Sequence, residues 1–268
     1  MGGSARVRDI NMAFDDAGAG RATVVLLHGF PFNRSMWREQ LAALADTYRV
    51  VTPDLRGHGE TGLGSDASTM EEMARDVAAL LDALNISEPV VLGGLSMGGY
   101  VALAFYRLFT QRVRALILAD TRPQADTDET RRTREETARR ALAEGMAPVA
   151  DTMLPKLLAP ATQRERPEVV TRVREMILST RPEGAAAALR GMAVRRDQTD
   201  LLPEVGVPTL LVVGREDAIT PPSEAETMRR LIPGAQMLII EDAGHVSNIE
   251  RPSEFNRAVA EFLGGVVS

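Results

Sequence analysis

Six short apolar runs, rich in β-branched residues and without strict alternation, set the tightest limit on how this chain of 268 residues can fold. They occupy 22–28 (ATVVLLH), 48–53 (YRVVTP), 89–94 (PVVLGG), 114–120 (RALILAD), 208–214 (PTLLVVG) and 235–241 (AQMLIIE). Strands that lose alternation are covered on both faces, the condition met inside a parallel sheet packed between helices. A weaker run over 7–15 predicts a half-exposed strand at an antiparallel edge. Helical patterns separate the runs. Over 69–84, Met70, Met73, Val77, Leu80, Leu81 and Leu84 share a face, and Thr69 with Glu72 has the spacing of a capping box. Pro252 suits the first turn of a last helix whose Phe255, Val259 and Phe262 lie together. Alternation of this kind predicts an α/β fold with a mostly parallel central sheet flanked by helices.

Between residues 121 and 200 the alternation stops. The segment is rich in Arg and Glu, reads as helical throughout, and is punctuated by Pro148, Pro155, Pro160, Pro167 and Pro182. It predicts a helical cap, or lid, inserted between two sheet strands of a core built from 1–120 and 201–268. Met146, Val149, Met153, Leu154, Leu157, Leu158, Val173, Met176, Ile177, Leu189 and Met192 form its apolar faces; most pack cap helices together and a few roof a pocket. Arg131, Arg132, Arg134, Arg139 and Arg140, interleaved with Glu135, Glu136 and Glu144, read first as a solvated helix face. A contact from one of them to a substrate carboxylate is the alternative.

Composition narrows the function. A formal charge of −6 gives no general attraction to nucleic acid or anionic membranes. The absence of cysteine removes disulfides, thiolate metal sites and a Cys nucleophile. No apolar run approaches the roughly 20 residues that span a bilayer, and the N-terminal stretch has no signal-peptide core. The expectation is a cytoplasmic monomer or small homo-oligomer with no cofactor, no metal, no nucleic-acid partner and no membrane.

One run leads straight into chemistry. The strand 89–94 enters Gly94-Leu95-Ser96-Met97-Gly98-Gly99, and 100–108 then looks helical. This is G-x-S-x-G in its strand–turn–helix setting, with small residues where two backbones converge and the serine at a helix N-terminus. A serine hydroxyl needs a base, and only three histidines exist. His28 and His58 precede Ser96, whereas this architecture runs Ser, acid, His, which leaves His245 in the loop after the last strand. Asp217, just past 208–214, is the preferred acid. Asp120, ending the preceding strand, is its rival, while Asp242 and Glu216 read as solvated loop charges.

These motifs resemble the α/β-hydrolase superfamily along nearly the whole chain. Leu27-His28-Gly29-Phe30-Pro31 is similar to the family's HG-containing loop, and Pro53-Asp54-Leu55-Arg56-Gly57-His58-Gly59 to its D-x-R-G-x-G loop. The resemblance implies an oxyanion hole from the backbone N–H groups of Phe30 and Met97, and structural roles for His28 and His58. It implies too that Asp54 and Arg56 brace their loop by hydrogen bonds and an ion pair. With Phe32, Trp37, Tyr100, Met153 and Val246 expected to line the pocket, the chain looks most like capped esterases and 3-oxoadipate enol-lactonase-type hydrolases. A serine at 96 departs from the Asp nucleophile of dehalogenases and epoxide hydrolases, and the lack of Cys from dienelactone hydrolases. The function this implies is hydrolysis of a small or medium ester or lactone. Cofactor-free perhydrolases, haloperoxidases and lyases of the same fold stay open as alternatives, as does a ligand-binding receptor with little turnover.

Overall fold

The six apolar runs become six adjacent strands. A computed structural model of the protein describes residues 2–20, 22–64 and 68–267; the ends of the two expected core segments, residues 1 and 268, lie outside them. Among the described residues the strands are β1 (Gly2–Val7), β2 (Ile10–Ala17), β3 (Thr23–Leu27), β4 (Arg49–Pro53), β5 (Val90–Leu95), β6 (Val113–Ala119), β7 (Thr209–Gly214) and β8 (Gln236–Ile240). They form one sheet in the order β1-β2-β4-β3-β5-β6-β7-β8. Pairing is antiparallel for β1–β2 and β2–β4 and parallel for every other pair. The loops that leave the C-terminal ends of β3, β5, β6, β7 and β8 therefore share one edge of the sheet, the usual place for a site in such folds.

The edge strand expected over 7–15 is instead a hairpin, β1–β2. Arg8 takes φ 51°, and the two residues Arg8 and Asp9 reverse the chain so that Val7 pairs with Ile10. Two-residue hairpin loops need such left-handed backbone, which Gly, Asn or Asp usually supply. Arg at that position gave no turn signal. Its guanidinium is held by Asp76 Oδ1 at 2.8 Å. The edge strand β8 is also less covered than its apolar sequence suggests, with only Ile240 fully buried.

The helices follow the sequence pattern closely. Before the cap region come α1 (Arg38–Leu44), α2 (Met70–Ala83) and α3 (Met97–Leu108). Thr69 and Glu72 close the capping box at the start of α2. Between β6 and β7 lie α4 (Asp128–Glu144), α5 (Ala147–Leu157), α6 (Pro160–Glu165), α7 (Pro167–Leu178) and α8 (Pro182–Ala193). Pro155 lies inside α5, while the other four prolines that mark breaks in the sequence serve as helix starts: each of α5 to α8 has one in its first two positions. There the missing N–H costs nothing and φ is already helical. After β7 come α9 (Pro222–Leu231), α10 (Ser247–Glu250) and α11 (Pro252–Val266).

Helices α4 to α8 are tied to the sheet half at separate points. Arg172 pairs with Glu39 at 2.6 Å, and the Thr180 hydroxyl donates to the Pro31 carbonyl at 2.5 Å. On the far side the His245 N–H donates to the Leu157 carbonyl at 2.9 Å.

Candidate active site

Strand β5 is buried along its whole length and delivers Ser96 into a turn with φ 55° and ψ −113°. A non-glycine residue held there stores about 1–3 kcal/mol of strain, tolerated only where the surroundings dictate it. Here they do. A Cβ on Gly94 would lie 2.2 Å from the Gly98 carbonyl carbon, and one on Gly98 would lie 2.1 Å from the Leu27 carbonyl oxygen. Only glycine at both positions lets β5, α3 and β3 converge. Behind the turn, the Ser96 N–H donates to the Ala119 carbonyl at 2.9 Å and the Thr121 hydroxyl donates to the Ser96 carbonyl at 2.8 Å.

Two residues from distant loops meet this serine. His245 Nε2 lies 2.8 Å from Ser96 Oγ, and His245 Nδ1 lies 2.8 Å from Asp217 Oδ2. Asp217 is fixed in turn: its Oδ1 accepts from the Ile219 and Thr220 N–H groups at 2.8 Å each, and its Oδ2 accepts from the Thr220 hydroxyl at 2.7 Å. Burial opposes ionisation of Asp217, but His245 and Thr220 hold its carboxyl below the usual carboxylate range. An ionised carboxylate can only accept, so Nδ1 carries the proton and Nε2 is free to take one from the serine. Burial likewise disfavours imidazolium. The facing Asp217 charge, helped by Asp120 and Glu250, outweighs it and raises His245 above the ordinary imidazole value.

Asp120, the rival acid, is fully buried nearby but turned elsewhere. Its Oδ1 accepts from the Gly214 N–H at 2.8 Å and its Oδ2 bonds the Ser247 hydroxyl at 2.5 Å. Burial, and then the neighbouring Asp217 charge, push its carboxyl well above the usual range.

The loop after β3 lies against the serine. A Cβ on Gly29 would stand 3.4 Å from Ser96 Cβ. Among the described residues, the backbone N–H groups of Phe30 and Met97 have no intramolecular acceptor. His28 shapes this loop: its Nε2 accepts from the Leu55 N–H and its Nδ1 donates to the Gly29 carbonyl, both at 2.9 Å. The His58 ring sits 5.0 Å away, with its Nδ1 at 3.0 Å from the Arg56 carbonyl. Asp54 and Arg56 brace the loop with separate partners rather than with each other. Asp54 accepts from Arg34 and from the Glu60 N–H, while Arg56 grips Asp76 through Nε and Nη2 at 2.8 Å each and Asp9 at 2.7 Å.

The two buried histidines predict a pH response. Burial lowers His28 to about 4; burial, and then His28, lower His58 to about 3. Below the ordinary value of 6.5 the unfolded chain protonates all three histidines, whereas the folded chain holds a proton only on His245. The unfolded state then binds more protons, and stability falls as pH drops from about 6.5 toward 4, by about 1 kcal/mol per pH unit once the proton that buried Asp120 keeps in the folded chain is counted. Above 6.5 His245 acts in the opposite sense, its share being lost as pH rises through its folded value. Urea midpoints measured from pH 8 to pH 5 should therefore peak near neutrality. A midpoint that does not fall on acidification would contradict neutral burial of the pair.

A cavity of 470 Å³ opens between the cap helices and the loops that carry Phe30, Ala218 and Ile219. Phe30, Tyr100 and Met153 line it. Phe32, Trp37 and Val246 do not border it; all three are buried in the core, where the Trp37 ring packs on Phe255 with centroids 5.9 Å apart. Sequence reasoning missed Thr220 and Glu250. Thr220 has a legible signal, since Asp-x-x-Thr favours a turn in which the Asp side chain accepts from following N–H groups. Glu250 has none. It accepts from the Gly244 N–H at 2.7 Å and the Ala159 N–H at 2.9 Å, joining the histidine loop to the cap. Among the described residues no cluster of His, Asp and Glu could hold a metal ion, and no helix is long and apolar enough to cross a membrane.

Known proteins share this arrangement of elements. Residues 22–252 match the alpha/beta hydrolase fold family. The chain is 28% identical over 241 residues to 3-oxoadipate enol-lactonase 2 of Acinetobacter baylyi, covering 90% of this chain and 88% of that protein. It is similar to a malate-bound structure of a thermophilic esterase from Thermogutta terrifontis, at 45% identity and TM-score 0.97, with 100% of both chains covered. The enol-lactonase from Burkholderia xenovorans is similar at 30% identity and TM-score 0.91, covering 98% of this chain and 100% of that one. With residues 22–252 matching that family and a solved structure matched over its whole length at TM-score 0.97, this chain belongs to the α/β-hydrolase fold family.

Proposed function

We propose that the protein is a serine hydrolase cleaving small to medium carboxylic esters or lactones through an acyl-enzyme on Ser96. The observation that carries this reading is the unbroken chain from Ser96 Oγ through His245 to Asp217, with both links at 2.8 Å. Esterase and enol-lactonase relatives support the same reaction class. In this reading residues 1–120 and 201–268 are the catalytic core and 121–200 the cap, with the cavity between them for the substrate.

The reaction follows from the proton positions. Ser96 Oγ bonds to the carbonyl carbon as its proton passes to His245 Nε2, and the carbonyl π pair moves onto oxygen. The Phe30 and Met97 N–H groups face that oxyanion, and the N-terminus of α3 adds its partial positive charge. Collapse of the intermediate breaks the bond to the leaving oxygen, which takes the proton from His245. A water then repeats the sequence on the acyl-enzyme and releases the acid. Asp217 keeps Nδ1 protonated throughout, and its ionised form offsets the imidazolium that appears in each step.

The wall chemistry sets the size preference. Threonines and basic side chains share the cavity wall about equally with apolar residues such as Phe30, Val149, Met153 and Leu189. A wide apolar rim, as needed for docking on an oil interface, is missing from this lining. Turnover of p-nitrophenyl esters from acetate to palmitate is expected to peak at short or middle chain lengths. A peak at palmitate with activation by an emulsion would overturn the size preference. No turnover of any ester would overturn the hydrolase reading.

A further inference from the structure

The histidine loop runs directly into α10, a single turn whose polar side chains go to different partners. Ser247 bonds Asp120 at 2.5 Å, and Asn248 Nδ2 donates to the Met36 carbonyl at 3.1 Å. Those two bonds fasten the turn to the sheet half. Glu250 reaches the other way. Its N–H donates to the Val246 carbonyl at 3.0 Å, so one helical turn brings its side chain back toward the residue before His245. There Oε1 accepts from the Gly244 N–H at 2.7 Å, while Oε2 accepts from the Ala159 N–H at 2.9 Å, at the corner between α5 and α6.

This corner of the cap sits directly on the histidine loop. A Cβ on Gly244 would stand 2.8 Å from the Ala159 nitrogen, and the His245 N–H donates to the Leu157 carbonyl at 2.9 Å. Arg166 adds a further tie from the cap, donating to the Glu250 carbonyl at 2.5 Å. Glu250 itself is 1% exposed. Burying a carboxylate is costly unless its charge is compensated. Burial pushes its carboxyl up, against the Thr162 side chain, the two N–H groups and the Arg166 charge. N–H donors on both oxygens suit the ionised form, which can only accept. A brace between two loops accounts for those bonds. It does not account for the carboxylate acting on the imidazole, which Glu250 raises together with Asp217 and Asp120 against the effect of burial.

We propose that Glu250 is a positioning residue that fixes His245 against the cap and keeps a negative charge close to the imidazole, so that the base is in place only while the α5–α6 corner is seated. The inference rests on the serine-hydrolase reading and deepens it. The cap then has two tasks: side chains of α4 and α5 line the cavity, and the α5–α6 corner holds the base.

Glu250→Gln tests this, because an amide NH2 replaces one oxygen opposite an N–H donor and the charge is removed. With p-nitrophenyl acetate, kcat should fall by about 10- to 100-fold, as for a small misplacement of a reacting group. KM should change by less than about threefold, since Glu250 does not border the cavity. The acid limb of kcat/KM should move to lower pH. His245 must be neutral to act as base, and its ring faces Asp217, Asp120 and Glu250. Arg166 faces Glu250, and Asp242 pairs with Arg251 on the exposed side of the same loop. Taking away one negative charge makes imidazolium harder to form. A purely structural brace would leave the limb where it is, so an unmoved limb overturns the proposal, as does a wild-type kcat. Arg166 is only half-buried, and Arg166→Met keeps the test available if Glu250→Gln folds poorly. It removes the tie to the Glu250 carbonyl and should lower kcat by about threefold at unchanged KM; in that case a wild-type kcat in Arg166→Met overturns the proposal. If the wild type cleaves no ester, the serine-hydrolase reading falls instead. Titration of the His245 ring by NMR then decides the role of Glu250 without turnover: a lower value in Glu250→Gln supports it, and an unchanged value overturns it.

Discussion

Ser96→Ala and His245→Ala should each abolish ester turnover almost completely, with kcat falling on the order of 10³-fold or more. In the proposed mechanism the two side chains, 2.8 Å apart, act on one proton, so removing either leaves the other without its task. The double variant should consequently be no worse than either single one, the signature of residues that work as a unit. What remains would come from the Phe30 and Met97 amides and from the cavity, neither of which the substitutions touch. Folding should change little in Ser96→Ala, because the strained backbone at φ 55° is imposed by Gly94 and Gly98 and not by the hydroxyl. Steady-state turnover of a short p-nitrophenyl ester, with circular dichroism as the control for folding, checks all three variants. Retention of more than a few per cent of activity in either single variant would remove Ser96 or His245 from the mechanism.

Much of this site was readable because its constraints are local. Gly94 and Gly98 announce a turn that other residues cannot make, and His245 is the one histidine placed after Ser96 in the chain. The sheet was readable for a similar reason, since burial on both faces removes alternation from a strand. Features that failed to show depend on partners far away in sequence. Trp37 has the composition of a pocket wall, yet its ring packs on Phe255, 218 positions further along, and no local pattern reports that. Glu250 looks like any solvated helix glutamate, and its role appears only once α5, α6 and the histidine loop are brought together. The Arg8–Asp9 reversal was hidden because its left-handed residue lacks the side chain that normally marks one. Choosing between Asp217 and Asp120 falls between these cases. Both follow a buried strand, Asp120 directly and Asp217 in the loop after it, and only the turn that returns Thr220 onto Asp217 aims that carboxylate at the imidazole.

That choice yields the second large effect. Asp217→Asn is expected to lower kcat by roughly 10³–10⁴-fold, while Asp120→Asn should cost less than about tenfold. The carboxylate of Asp217 accepts the Nδ1 proton of His245 at 2.8 Å and so leaves Nε2 open toward Ser96. An asparagine can turn its amide N–H toward Nδ1 instead. The ring proton then moves to Nε2, where it blocks transfer from the serine hydroxyl. The imidazolium formed during attack also loses its facing charge, so both effects act in the same direction. Asp120 differs because burial, and then the Asp217 charge, already drive its carboxyl toward the neutral form. An amide copies that form closely: its oxygen can accept from the Gly214 N–H, and its nitrogen can donate to the Ser247 hydroxyl. The geometry around β6 and β7 would survive with no buried charge removed. Measuring kcat and KM for both variants on one short ester separates the two roles. If Asp120→Asn proves the more damaging, the acid that serves His245 is Asp120, and the bond to Asp217 is structural.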